Sequence, residues 1–418
     1  MSADECMAWD ASETPVCPSD IFLPGMRAPC FYSDGQEVEE EDGKEGDGND
    51  GFRQSRSVAC LPSFFIPGFA KAGTSALAWI LGSHPQVRKT SPKEIHHWDF
   101  IARKGSNVSS LDAYAAKFRR DVAGLGIDGV TFDATPGLVR LGLGARLRAA
   151  MPRATQTVVA VREPTRWLLS CLRFHCKDVS PSGVDVPYEF HAWVGHALRA
   201  KLHAARHNTT ASAVLADARA QGRAAQGFWC PAADTPLLLD RTFVLHSGEL
   251  STSVASPVDV EGEGGENELD KGTTRQKGLS SPRLRRRVRV TCPWVDQLST
   301  WISAFPLGSH THVVFAEALA ADPRSTMDAV VAFLGLEPHA WDDSVLYARV
   351  NDAQHRGPRA VAPTDDKSDA PRPPRPMQQT FVRLWPFHSV CARHLAELLH
   401  LSPDDFPLEW RYLLGRSA

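Results

Sequence analysis

The sequence predicts an α/β fold with a central parallel sheet flanked by helices, and three stretches carry that prediction. Phe64-Phe65-Ile66 is an apolar run of strand length that ends at Pro67-Gly68. After a short loop, Ala76-Leu77-Ala78-Trp79-Ile80-Leu81 continues at helical length until Gly82 and Pro85 stop it. Thr157-Val158-Val159-Ala160-Val161 is an uninterrupted run, as expected of a strand buried on both faces, and a helix with Pro164 near its start follows directly. Thr311 to Phe315 reads as a further strand, followed by a helix from Met327 to Leu334 that Gly335 closes.

At 418 residues the chain has room for one large α/β domain or two smaller ones, and it can bury a sizeable core. Its apolar fraction of 43% is ordinary for a globular protein. A net charge of −3 leaves no electrostatic footprint for nucleic acid, so no nucleic-acid partner is expected. No run approaches the roughly 18 apolar residues of a membrane helix. Met1 to Cys30 shows neither the basic nor the apolar region of a secretory signal. The nine cysteines form no Cys-x-x-Cys pair, which argues against a zinc site, and their odd number leaves at least one thiol free. Asn107-Val108-Ser109 and Asn208-Thr209-Thr210 are glycosylation sequons, meaningful only in the secretory pathway.

Along the chain, residues 1–57 read as a disordered acidic segment. Glu37 to Asp50 is dense in Glu, Asp and Gly, which repel and bury nothing. One domain is expected over 58–418. It opens with the strand at Phe64 and the loop Gly68-Phe69-Ala70-Lys71-Ala72-Gly73, which leads into a helix beginning Thr74-Ser75. Strand, small-residue loop and helix N-terminus together make an anion site, because the first-turn N–H groups and the helix dipole point at the ligand. Gly68 and Gly73 have the spacing of the nucleotide P-loop, but Thr74 stands where that loop carries its lysine, and the lysine sits inside the loop at Lys71. A P-loop-like three-layer fold is therefore expected, with a loop that cradles one phosphate-like group. A plain strand–helix turn with a solvated lysine is the other reading.

Lys93-Glu94-Ile95-His96-His97-Trp98-Asp99 comes next. A carboxylate and histidines shortly after an anion loop suit general-base work on a hydroxyl or amine that must lose a proton as it attacks. A surface loop with an idle His-His pair is the alternative. Leu111 to Arg120 reads as an amphipathic helix. Val130-Thr131-Phe132 is a short strand leading into Asp133-Ala134-Thr135-Pro136, and Leu138 to Met151 is a helix stopped by Pro152. Arg162 leaves the end of the strand Thr157–Val161, and Ser170 lies eight residues later on the following helix. A guanidinium gives bidentate contact to phosphate and a hydroxyl adds a directional donor. An Arg162 paired with Glu163 or another carboxylate is the competing reading.

Tyr188 to His207 reads as an amphipathic helix. Stretches near 251–289 and 358–376 read as disordered insertions, and Cys230 and Cys292 flank the first as a possible bridge. The basic end of that insertion, Arg283 to Arg289, suits either a solvated linker or attraction to an anionic polymer. Trp294 to Phe305 is a helix. Glu317-Ala318-Leu319 and Asp322-Pro323 read as turns of the scaffold, and the segment from Phe381 to Leu401 is a terminal helix.

Taken together, Lys71-Ala72-Gly73-Thr74-Ser75, Glu94-Ile95-His96-His97-Trp98-Asp99 and Arg162 with Ser170 resemble the sulfotransferases that use 3′-phosphoadenosine 5′-phosphosulfate (PAPS). The branch most resembled is that of the carbohydrate enzymes of the heparan sulfate type. The likeness runs in patches over about Leu61–Cys176 and Trp294–Pro338, with a weaker one near the C-terminus. It implies a sulfuryl transfer from PAPS to a hydroxyl or amine, with a carbohydrate acceptor and no metal. Lys71, Ala72, Gly73, Thr74 and Ser75 would hold the 5′-phosphosulfate. Arg162 and Ser170 would hold the 3′-phosphate, joined by Arg356-Gly357. Glu94 would be the base with His96 in support. The family pattern has a lysine where Ala134 stands, which leaves the acceptor chemistry open. The resemblance implies a glycoprotein of the Golgi lumen, whereas the sequence shows no signal or anchor. The rival functions are a P-loop kinase-like enzyme, which would require Mg²⁺, and a non-catalytic nucleotide-binding relative.

Overall fold

The computed structural model describes residues 22–33, 57–104, 111–118, 126–151, 155–175, 186–207, 209–210, 213, 242–246, 256–260, 286–348 and 375–415. The chain is arranged in two units, whereas the sequence reading has one domain over 58–418. The first comprises Met1–Glu163 and Gln297–Lys367, and the second Pro164–Asp296 and Ser368–Ala418.

The first unit holds an α/β layer structure. Strands β1 (Cys30–Ser33) and β2 (Ser57–Cys60) form an antiparallel pair, locked by a disulfide between the facing residues Cys30 and Cys60. Structure thus begins inside the stretch expected to be disordered, while Glu37 to Asp50 lies outside the described residues. Strands β3 (Phe64–Phe65), β4 (Val87–Arg88), β5 (Val130–Asp133), β6 (Gln156–Val161) and a later strand, Thr311–Phe315, build one parallel sheet. Its order places Thr311–Phe315 at one edge, then β6, β3, β5, and β4 at the other. This is the parallel sheet that the buried β-branched runs predict.

Burial explains the sequence pattern. Residues 157–161 of β6 are all buried, with Thr157 satisfied by the Thr311 hydroxyl at 2.9 Å and by the Trp301 indole N–H at 3.2 Å. Phe64 stacks on Phe132 across β3 and β5 at 5.4 Å. The helix Thr74–Leu81 turns Leu77, Ile80 and Leu81 into the core. The helix expected over 138–151 is two helices, Gly137–Arg140 and Gly144–Ala150. They are separated where Gly142 takes φ 66, a left-handed conformation that interrupts helical bonding. The helix expected from Leu111 covers Leu111–Ala115 and tightens into a 3₁₀ turn, Ala116–Phe118.

The second unit is built from the helices Pro164–His175, Val186–His207, Arg375–Leu399 and Leu408–Leu414, with an antiparallel sheet of β7 (Val244–His246), β8 (Ser256–Val260) and β9 (Arg286–Thr291) in the order β7-β9-β8. β8 and the start of β9 fall inside the 251–289 insertion, and the rest of that insertion lies outside the described residues, as does most of 358–376. Cys292 is bonded to Cys391 rather than to Cys230, so the bridge ties the end of β9 to the long terminal helix instead of closing the insertion. Phe243 stacks on Phe387 at 4.7 Å in the interior of this unit. One of the three points where the chain passes between the units falls within the helix Pro293–Ala304. The strand Thr311–Phe315 completes the strand numbering as β10. No helix among the described residues is long and apolar enough to cross a membrane.

Candidate active site

Three adjacent parallel strands deliver three motifs to one edge of the sheet. β3 lies between β6 and β5. Beyond β3, Ile66 N–H donates to the Asp133 carbonyl at 2.9 Å, and Gly68 bridges to Ala160 of β6. The loop from Gly68, the segment from Asp133 and the turn at Arg162 therefore leave the carboxyl ends of neighbouring strands, where open α/β sheets bind their ligands.

The loop is shaped by glycine where glycine is required. A Cβ on Gly68 would meet the Ala160 carbonyl oxygen at 2.7 Å, and its φ is 149, so no side chain fits against β6. Lys71 has φ 72 and Gly73 has φ 105. A non-glycine residue held left-handed costs about 1–3 kcal/mol, which marks Lys71 as a position the fold fixes. Helical bonding starts with Ala76 and Leu77 donating to the Gly73 carbonyl at 3.0 and 3.1 Å. The N–H groups of Gly73, Thr74 and Ser75 donate to no backbone acceptor among the described residues, and the first turn carries neither an acidic residue nor a side-chain cap. Such a helix N-terminus is suited to an anion, and Lys71 is half-buried beside it.

Arg162 closes the cradle from β6. Its Nη1 donates to the Lys71 carbonyl at 3.1 Å, and its Nε lies 3.9 Å from Glu317 Oε1. The competing sequence reading, an arginine facing a carboxylate, is thus present in the same geometry as the phosphate-site reading. Glu317 is a residue that sequence reasoning assigned to scaffold. It lies in the first turn of the helix Ala316–Ala321, directly after β10, and its buried carboxylate accepts the Glu163 N–H at 3.2 and 3.3 Å. The signal in the sequence was an acidic residue just past a buried strand.

The second cluster follows β4, the edge strand beside β5. Lys93 Nζ is 2.6 Å from Glu94 Oε1, and His96 Nε2 is 3.1 Å from Glu94 Oε2. The other ring nitrogen of His96 lies 2.9 Å from Asp99 Oδ2. An imidazole with a carboxylate at each nitrogen donates to both when both nitrogens carry hydrogen. His96 has φ 55, and its N–H donates to Thr135 Oγ1 at 3.1 Å. Thr135 in turn donates its hydroxyl (2.6 Å) and its N–H (3.0 Å) to Asp133 Oδ1, whose other oxygen accepts the Tyr114 hydroxyl at 2.7 Å. Burial pushes the Asp133 carboxyl up, opposed by the bonds from Thr135 and Tyr114, and burial pushes the Tyr114 phenol up. Burial also lowers the neighbouring His97 to about 4, helped by the Lys117 charge.

The predicted residues of the first unit follow three strands of one parallel sheet: Lys71 to Ser75 after β3, Glu94 and His96 after β4, and Arg162 after β6, with β5 between β3 and β4. Ser170 belongs to the second unit, half-buried on the helix Pro164–His175. Arg356 and Gly357 lie outside the described residues. Ala134 is fully buried, and its carbonyl accepts from Lys93 Nζ at 3.4 Å, so an ammonium group reaches this position from a neighbouring segment. Among the described residues no group of three or more His, Cys, Asp or Glu side chains is placed to hold a metal ion. Sequence reading missed Asp133, Thr135 and Tyr114 as supports, because their roles arise from β5 lying beside β4.

No family model matches the chain, and none of the curated proteins does. Among solved structures, the chain is similar to the crystal structure of a sulfotransferase from Alicyclobacillus acidocaldarius. The two are 15% identical with a TM-score of 0.43, over 82% of this chain and 97% of that one.

Proposed function

We propose that this chain is a sulfotransferase that moves a sulfuryl group from PAPS to a hydroxyl or amine, with a carbohydrate as the acceptor class. The observation that carries the reading is a loop suited to an anion after β3, held by an arginine after β6, with a carboxylate–histidine pair after β4 that is tied to the end of β5 through Thr135. Gly73 to Ser75 with Lys71 fit the 5′-phosphosulfate by charge and by undonated N–H groups, and Arg162 fits the 3′-phosphate. When bound, PAPS supplies an activated sulfur joined to phosphate through a bridging oxygen.

The residues of the chain have distinct tasks. Glu94 takes the acceptor proton as the acceptor oxygen or nitrogen bonds to sulfur. The sulfur–oxygen bond to phosphate breaks, and Lys71 with the loop N–H groups stabilises the charge growing on the departing oxygen. Losing one such preorganised donor typically costs about 10²–10³ in rate. Both Glu94 oxygens are engaged, by Lys93 and by His96, so the acceptor displaces Lys93 from Oε1 to reach the base. His96, tied to buried Asp99, keeps the carboxylate in place. A lysine absent from position 74 speaks against the Mg²⁺-dependent kinase reading. The disulfides Cys30–Cys60 and Cys292–Cys391 support an oxidising compartment such as the Golgi lumen.

The test is Glu94→Gln. The expected result is loss of transfer by at least a hundredfold, in the range of general-base contributions, with binding of 3′-phosphoadenosine 5′-phosphate (PAP) retained. Transfer at the wild-type rate removes Glu94 as the base.

A further inference from the structure

We infer that Glu317 is a positioning residue for Arg162, and that through Arg162 it sets the preference of the nucleotide site for a 3′-phosphate. The inference rests on the donor-site reading above and adds a residue to it.

Glu317 is a buried carboxylate, its side chain 4% exposed, lodged where β10 passes into a short helix. Burying a carboxylate is costly unless hydrogen bonds and a cation compensate it. Both kinds of partner are present and both belong to the phosphate site. The hydrogen bonds come from the Glu163 N–H, the peptide that follows Arg162, so they fix the backbone direction from which the arginine side chain departs. The cation is the Arg162 guanidinium, whose Nε faces Glu317 Oε1 at 3.9 Å while Nη1 holds the Lys71 carbonyl at 3.1 Å. One hydrogen bond at Nη1 and the carboxylate charge facing Nε thereby orient the guanidinium, and the Arg162 side chain remains 33% exposed. A guanidinium oriented before binding loses less freedom when it takes a phosphate.

The same turn also supports the loop. A Cβ built on Gly73 would touch the Ala316 Cβ at 3.5 Å, so Ala316 lies against the cradle one residue before Glu317. The segment 316–317 therefore contacts the 5′ cradle through Ala316 and orients the 3′ side through Glu317. Glu317 touches no reacting atom, and its effect is on recognition.

Glu317→Gln separates the two roles. The amide oxygen still accepts the Glu163 N–H, while the charge facing Arg162 is lost. Dissociation constants of PAP and of AMP, which lacks the 3′-phosphate, are measured by calorimetry for wild type, E317Q, R162K and the double variant. Wild type is expected to prefer PAP. E317Q is expected to lower that preference by about tenfold, the scale of one charge-assisted contact, with AMP affinity and melting temperature close to wild type. In the R162K background E317Q should add little. An unchanged PAP preference in E317Q, or equal losses for PAP and AMP, overturns the inference and leaves the donor reading standing. A wild-type chain with no PAP preference removes the donor reading, and this inference with it.

Discussion

At the scale of single residues, the site is a set of side chains whose freedom has been removed by neighbours. His96 is the clearest case. Its left-handed backbone is tied to Thr135, its ring lies between Glu94 and Asp99, and Thr135 is tied to a carboxylate that burial holds in the interior. Thr135→Val keeps the shape and removes the hydroxyl, so the His96 N–H loses its acceptor and Asp133 loses a donor. The expected outcome is a fall in turnover of roughly tenfold with the KM for donor unchanged, and a stability loss of about 1–3 kcal/mol. Thr135→Ser should restore most of the turnover, as steady-state kinetics and denaturant melts would show. Wild-type turnover in Thr135→Val would detach this network from the base. The sequence displayed Glu94 and His96 as a motif, because they are close along the chain. It could not display Thr135, whose bearing on His96 depends on β5 emerging beside β4.

At the scale of elements, the strands of the first unit were legible because burial on both faces demands the apolar runs seen at 64–66 and 157–161. The single long helix expected over 138–151 was not legible as two, since Gly142 is tolerable in a helix and only its φ of 66 shows the break. β1 was missed because a four-residue strand next to an acidic stretch has too little pattern to stand out, and a disulfide supplies what its size does not. In the second unit, the helix Val186–His207 buries Lys201, whose ammonium donates to the Phe243 carbonyl at 3.3 Å and lies over the Phe243 ring. Burial lowers this lysine from 10.5 to about 7. Between pH 7 and about 10.5 the unfolded chain then binds more protons than the folded one, so Lys201 makes stability rise with pH across that window and weigh against folding below it. Lys201→Met should melt higher than wild type at pH 7, with the gap closing toward pH 10. Parallel melting curves across that range would show that Lys201 does not titrate there.

At the scale of the whole molecule, the strand–loop–helix from Phe64 to Leu81 is recognisable from glycine spacing and apolar runs alone. Sequence spacing linked Arg162 to Ser170, and the structure assigns them to different units. It linked Cys230 to Cys292 by their flanking positions, whereas the bond made is to Cys391, 99 residues beyond Cys292 in sequence. Pairings at such distances depend on packing that local pattern does not encode. We propose a nucleotide site selective for a 3′-phosphate, built by Lys71 to Ser75 and Arg162. Its most direct test is the melting temperature of the protein with PAP, with ADP and with ATP·Mg²⁺, alongside Arg162→Ala. At 100 times its Kd a ligand adds about 2.7 kcal/mol, or roughly 2–4 °C at domain sizes of this order. The expected result is that shift with PAP alone and its loss in Arg162→Ala. An equal or larger shift with ATP·Mg²⁺ would contradict it.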